Sequence, residues 1–140
     1  AHAQLVVSHP WARATVPGQQ ATGVFMTLET PAPVTLVGVH SPLAGRAEVH
    51  EMKMAGSVMK MRPVPRLPLQ VGQATTLQPG GLHIMLMELK TPLVAGQRVS
   101  LSLVVENDQG VRQEYAVEAE VRPLNAPPPA TSPQKTQGRP

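Results

Sequence analysis

The chain predicts an all-β fold, a sandwich or barrel built mainly from antiparallel strands. Apolar residues alternate with polar ones over short runs. Proline, glycine and asparagine clusters separate those runs at close intervals. No segment carries a helical apolar stripe with a cap and a stop. Together these features favour many short strands, about eight in the folded domain, joined by tight turns.

The elements follow in order along the chain. Gln4 to Val7 predicts a first strand that ends at His9-Pro10. Gln20 to Glu29 predicts a second, centred on Gly23 to Leu28. Val34 to Val39 is a third, bounded by Pro33 and Ser41-Pro42. Ala47 to Met54 is a fourth. Val58 to Met61 follows it after the turn Ala55-Gly56-Ser57. Pro63 to Pro68 is punctuated by proline, which donates no backbone hydrogen bond, and is expected to run extended at an edge. Thr75 to Leu77 is a brief strand before Pro79-Gly80-Gly81. Leu82 to Leu89, Arg98 to Glu106 and Val111 to Val121 complete the set. The last two flank Asn107-Asp108-Gln109-Gly110, a hairpin turn with glycine at hand for a left-handed position. Residues 3–124 therefore form one domain. Residues 125–140 are rich in proline and polar side chains and predict a disordered tail.

Composition narrows the function. A chain of 140 residues buries enough surface to fold without disulfides or metal. Twelve basic and nine acidic side chains are scattered, without aromatic interleaving, so no nucleic-acid surface is read. No apolar run is long enough to span a bilayer as a helix, and no transmembrane segment is expected. Ala1-His2-Ala3 has the Ala-Xaa-Ala form of a signal-peptidase site, which points to export. No phosphate loop, zinc signature or nucleophile triad is present, and the expectation is a protein that is not an enzyme.

Seven methionines, five histidines and no cysteine are the chemical signature of this chain. Val49 to Met61 reads VHEMKMAGSVMKM, and Leu82 to Glu88 reads LHIMLME. Thioether is a soft neutral donor and imidazole is borderline, so the mixture suits Cu(I) without thiolate. Methionine also fills cores, but here the two residue types recur together in two alternating patterns. Alternation places His83 and Met85 on one side of their strand and Ile84 and Leu86 on the other. His50, Met52 and Met54 likewise share one face, and so do Met59 and Met61. His9 and His40 sit beside turns and read as turn or surface residues. His2 could pair with the terminal amine for Cu(II) only at a native start. Met26 reads as core, Met59 and Met87 as rim, and Trp11 as core or site-edge packing. Met52 and Met54, as same-face neighbours of His50, are each either an alternative donor to the ion or a packing residue that shields it, Met52 being the candidate for direct ligation.

The phrases WARAT from Trp11, SPLAGRAEVHEM from Ser41, MKMRPV from Met59 and LQPGGLHIMLMELKTPLVAGQ from Leu77 resemble the periplasmic copper chaperones of the PCuAC type. That family's pattern is histidine, ten residues, methionine, twenty-one residues, histidine, any residue, methionine. Here it falls on His50, Met61, His83 and Met85. The resemblance runs from about Leu5 to Val121. It implies a cupredoxin-like antiparallel β-sandwich with Greek-key connections. It also implies one Cu(I) held by those two histidines and two methionines, and delivery toward the dinuclear copper centre of cytochrome c oxidase. The implied setting is the periplasm or bacterial cell envelope. The implied partner is the copper-bearing subunit of the oxidase or another copper chaperone. The same ligands would serve copper scavenging, storage or efflux, and a structural β-sandwich whose methionines only pack is the third reading. Relatives often carry tyrosine and asparagine where this chain has Phe25 and Thr30, which bears on packing or a turn. Some end in a histidine- and methionine-rich extension that takes Cu(II). Residues 125–140 contain neither residue type, so no cupric tail site is expected. An electron-transfer cupredoxin site needs a cysteine thiolate, which is absent.

Overall fold

A computed structural model describes residues 5–123. Ten strands follow one another, with no helix among the described residues: β1 Val6–Arg13, β2 Thr22–Glu29, β3 Val34–His40, β4 Ala44–Ala55, β5 Val58–Pro63, β6 Leu67–Leu69, β7 Thr75–Leu77, β8 Leu82–Leu89, β9 Arg98–Asn107 and β10 Arg112–Arg122. They form a mixed sheet in the order β5-β4-β8-β2-β1-β10-β9-β3-β6, with β7 paired to β2. The order interleaves strands distant in sequence, as Greek-key connections do. Every pairing is antiparallel except that of β1 with β10. The fold is an all-β, cupredoxin-like sandwich.

The core follows from strand alternation. Val24, Met26 and Leu28 of β2, Ile84 and Leu86 of β8, and Val49 of β4 turn inward. They meet Leu36 and Val39 of β3, alternate positions Val99 to Val105 of β9, and Val117, Ala119 and Val121 of β10. Aliphatic residues fill nearly all of this interior, and Met26 is its one methionine. The core side chains of β8 are fully buried, so the odd-numbered residues between them must face outward.

Several boundaries differ from the pattern in the sequence. The first strand does not stop at His9-Pro10; β1 continues to Arg13. The pairing with β2 slips between Ser8 and Trp11, and His9 takes a left-handed φ of 52°. A bulge absorbs the extra residues there, so proline is accommodated without ending the strand. Pro63 to Pro68 is divided rather than continuous. Pro63 ends β5, and Leu67 opens β6 on the opposite edge of the sheet. Ten strands form instead of about eight, because the turns at Pro65 and after Leu69 cut short segments free. The whole of the tail expected over 125–140 lies outside the described residues, as do residues 3, 4 and 124 of the expected domain.

The far edge of the sheet is pinned by charge. Glu106 at the end of β9 accepts hydrogen bonds from Arg66 at 2.6 Å and Arg112 at 3.2 Å. Those two guanidinium groups hold its carboxyl below the ordinary carboxylate range, Arg66 most strongly. The folded state therefore binds this proton less readily than the unfolded chain. The contribution is present at pH above the unfolded value and is lost as pH falls through the lowered folded value. Glu106→Gln should flatten the acid limb of stability against pH, measured by urea unfolding at a series of pH values; an unchanged limb would show that the pair is too screened to count. In the core, Leu86→Ala should lower unfolding free energy by about 2–5 kcal/mol, since a fully buried leucine leaves a cavity on truncation.

Candidate metal centre

The register of three strands builds the site. β4 and β8 pair so that His50 lies directly opposite His83 and Glu48 opposite Met85. β4 and β5 pair so that Met52 lies opposite Met61 and Met54 opposite Met59. Cross-strand partners share a face of the sheet. Six of the seven methionines and both of these histidines therefore lie on the side of the sheet away from the aliphatic core. β2 and β1 extend the same face: Gly23 lies opposite Met85, and Trp11 opposite Phe25.

The two imidazoles are in contact range, with ring centroids 6.0 Å apart and planes at 63°. His83 is buried, at 6% exposure, and the His50 side chain is only slightly more open. Each ring has one nitrogen committed. His50 Nε2 lies 2.9 Å from Glu48 Oε1, and His83 Nδ1 lies 3.0 Å from the Gly81 carbonyl oxygen. A carboxylate and a carbonyl only accept, so these nitrogens carry the protons. The remaining nitrogens, His50 Nδ1 and His83 Nε2, then hold lone pairs. Neither has a hydrogen-bond partner among the described residues, and His50 Nδ1 is buried. Buried ring nitrogens are ordinarily paired. The two unpaired nitrogens, on rings whose centroids are 6.0 Å apart, are candidate donors to one cation, with the outer acceptors fixing both tautomers.

The same Gly81 carbonyl also accepts from the Met52 backbone N–H at 3.3 Å. It thus ties the His83 ring to β4. Gly80, at φ 85°, makes the turn that aims this carbonyl.

Trp11 and Phe25 wall one side. Their centroids are 4.6 Å apart, and Phe25 lies 6.3 Å from His83. Arg13 sits 5.7 Å from each of the two ring centroids. A Cβ on Gly23 would meet the Phe25 ring at 2.7 Å, so the ring lies over the bare glycine. Sequence reading missed Gly23. A glycine in the middle of an apolar strand, two residues before the phenylalanine, was the available signal.

The methionines differ in how the register places them. Met85 and Met61 are both diagonal neighbours of His50, on opposite flanks of the histidine pair. On a flat sheet their Cα atoms would be about 16 Å apart, from a strand spacing of about 4.8 Å and a rise of about 3.3 Å. Their sulfurs meet over the histidines only where the twist and curl of the edge hairpin shorten that span. Met85 is half-buried and Met61 is exposed. Met52 lies next to His50 on β4 and is half-buried. Met87 is occupied otherwise: its sulfur lies 3.4 Å from the Arg46 guanidinium. His9 and His40 are exposed and lie outside this constellation. His2 lies outside the described residues. No group of three histidine, cysteine or acidic side chains capable of holding a metal occurs among the described residues. The further donors that this face offers beside the histidine pair are thioethers.

A β-sandwich with two imidazoles and a field of thioethers on one face defines a soft-metal-binding class of domain. Residues 5–121 match the family described as "Putative lipoprotein LpqE-like". The chain belongs to that family, which falls within the PCuAC family. Among curated proteins it is similar to "Putative lipoprotein Lxx21020" of Leifsonia xyli subsp. xyli, at 35% identity over 102 residues. That match covers 69% of this chain and 59% of the relative, so the chain spans less than two thirds of the relative's length. Among solved structures, the apo PCuAC domain from PmoF1 is 25% identical with a TM-score of 0.68, covering 85% of this chain and 93% of that one. Solution structures of apo-DR1885 and CuI-DR1885 from Deinococcus radiodurans are 30% and 32% identical, with TM-scores of 0.59 and 0.56. The apo form covers 84% of this chain and 79% of its own, and the CuI form 86% and 76%.

Two measurements check the geometry. Long-range nitrogen–proton spectra should show His50 protonated on Nε2 and His83 on Nδ1 when both rings are neutral; Glu48→Ala should release the His50 tautomer and leave that of His83. Gly23→Ala should cost about 1–3 kcal/mol through overpacking against Phe25, and should shift Trp11 emission.

Proposed function

We propose that this protein is a copper(I) chaperone that holds one Cu(I) through His50, His83, Met85 and Met61. The observation that carries the reading is the opposed histidine pair, with one nitrogen of each ring anchored and the other unpaired. Neutral imidazoles and thioethers leave the bound site with the ion's single positive charge. That suits a soft, monovalent cargo held at a protein face. The CuI-DR1885 structure, at 32% identity, supports the choice of metal.

Each donor has a distinct role. His50 and His83 form the rigid base, since they stand on paired strands and are oriented by Glu48 and Gly81. Met85 is the nearer sulfur, on the same strand as His83. Met61 arrives from the edge strand β5, whose six residues are all exposed. It is the donor that opens first, and its departure leaves a position for an incoming ligand of the recipient. Met52 stands ready as the alternative sulfur. Transfer by stepwise ligand exchange keeps the copper in one oxidation state, releases no proton from sulfur, and involves no catalytic turnover.

The recipient in this reading is an envelope copper acceptor, with the copper-bearing subunit of cytochrome c oxidase as the specific candidate. The relative's description as a lipoprotein supports an exported protein. No helix among the described residues is long and apolar enough to cross a membrane.

Anaerobic competition against a cuprous chelator tests the assignment. His50→Ala or Met85→Leu should weaken Cu(I) binding at least about tenfold, or about 1.4 kcal/mol, with little change in unfolding midpoint. Met61→Leu should weaken Cu(I) binding and speed transfer to the apo copper domain of the oxidase, followed by NMR. Tighter binding of Cu(II) than of Cu(I), or unchanged Cu(I) affinity in both His50→Ala and Met85→Leu, would overturn the reading.

A further inference from the structure

The β4–β5 hairpin carries more sulfur than one ion needs. Met52 faces Met61, and Met54 faces Met59, so four thioethers form a two-by-two block on one side of the hairpin. Met54, Met59 and Met61 are 57%, 49% and 45% exposed. The aliphatic core excludes them, so packing does not explain them. The opposite side of the same hairpin is charged: Glu51 pairs with Arg62 at 3.2 Å, and Lys53 lies opposite Lys60. The thioether side carries no charged residue from Met52 to Met61. An apolar edge strand open to water is ordinarily a liability that proteins blunt with lysine or proline. Here the lysines point one way and the sulfurs the other.

We propose that Met52, Met54 and Met59 form a second, all-thioether Cu(I) site at the hairpin, separate from the histidine pair. It rests on the reading of this domain as a Cu(I) carrier and adds a second ion to it. Cross-strand partners stand about 5 Å apart and successive same-face residues about 6.6 Å apart. A methionine sulfur reaches far enough from its Cβ to meet its neighbours over the centre of such a block. Three neutral thioethers satisfy a soft d10 ion in trigonal geometry, and they favour Cu(I) over harder cations. Binding displaces no proton. Met61, across from Met52 and diagonal to His50, lies between the two sites. An ion captured at the exposed tip reaches the histidines by exchanging one sulfur at a time along β4 and β5, from Met54 and Met59 to Met52 and Met61. The hairpin site is the loading station and the histidine pair the holding site.

The test uses the full chain labelled with carbon-13 at methionine methyls, titrated anaerobically with Cu(I) supplied as its acetonitrile complex. Native mass spectrometry should count two ions per chain. One equivalent should move the His50 and His83 ring signals. The other should move the Met54 and Met59 methyls without further change in the rings. Met54→Leu/Met59→Leu alters only exposed side chains, so the fold should hold. It should bind one ion, with affinity at the histidine site within about threefold of the parent. His50→Ala should retain the ion that moves Met54 and Met59. A count of one ion in the parent, or two ions retained by Met54→Leu/Met59→Leu, would overturn the proposal. Ring signals that never move while Met54 and Met59 do would instead overturn the histidine site and leave the hairpin site standing.

Discussion

The register between β4 and β8 is the constraint on which the site depends. Val49 pairs with Ile84, and His50 with His83. The first pair is buried in the aliphatic core and the second faces the opposite side of the sheet. A slip of one residue in either strand would drive an imidazole into the core and an aliphatic residue out of it. The cost of burying an unpaired ring among leucines therefore protects the metal-facing geometry. The core thereby fixes the geometry of the proposed site from the other side of the sheet.

The place of the proposed donors in the sheet separates rigid ones from movable ones. β8 is flanked by β4 and β2, and its side chains are held on both sides. His83 and Met85 take their positions from that interior strand. β5 pairs only with β4 and ends the sheet. Met59 and Met61 stand on it and are exposed. A carrier must both retain and release its ion. An interior strand that holds and an edge hairpin that gives way meet both demands within one sheet. The aromatic wall of Trp11 and Phe25 closes the opposite flank, leaving the hairpin side as the natural approach.

Hydrogen bonding at the histidines completes this division. Glu48 and the Gly81 carbonyl use up one nitrogen on each ring and leave the others without a hydrogen-bond partner among the described residues. The anchoring groups come from the strand and turn that bear the histidines themselves, two residues away in each case. Ring orientation is therefore a local property of these segments, already set before any ion arrives. Preorganised donors lower the ordering cost of binding.

The sequence by itself determined the strand-rich class and the aliphatic core, and it named the candidate donors. Period-two alternation separates Ile84 and Leu86 from His83 and Met85 whatever the partner strand. Turn chemistry marked most strand ends, because glycine and proline act locally. It failed at His9-Pro10, where a bulge lets β1 run on to Arg13, and at Pro63 to Pro68, where the chain leaves one edge and joins the other. Both depend on partners distant in sequence. Only the tertiary structure decided that His50 faces His83, since pairing β4 with β8 closes a loop of about thirty residues whose register no local signal encodes. It alone decided that Met61 stands apart on an edge while Met85 lies beside the histidines, that Met87 is held by Arg46, and that Gly23 makes room for Phe25. Alternation states which side of a strand a residue faces. Which strand lies next to it is settled by the burial of the whole core.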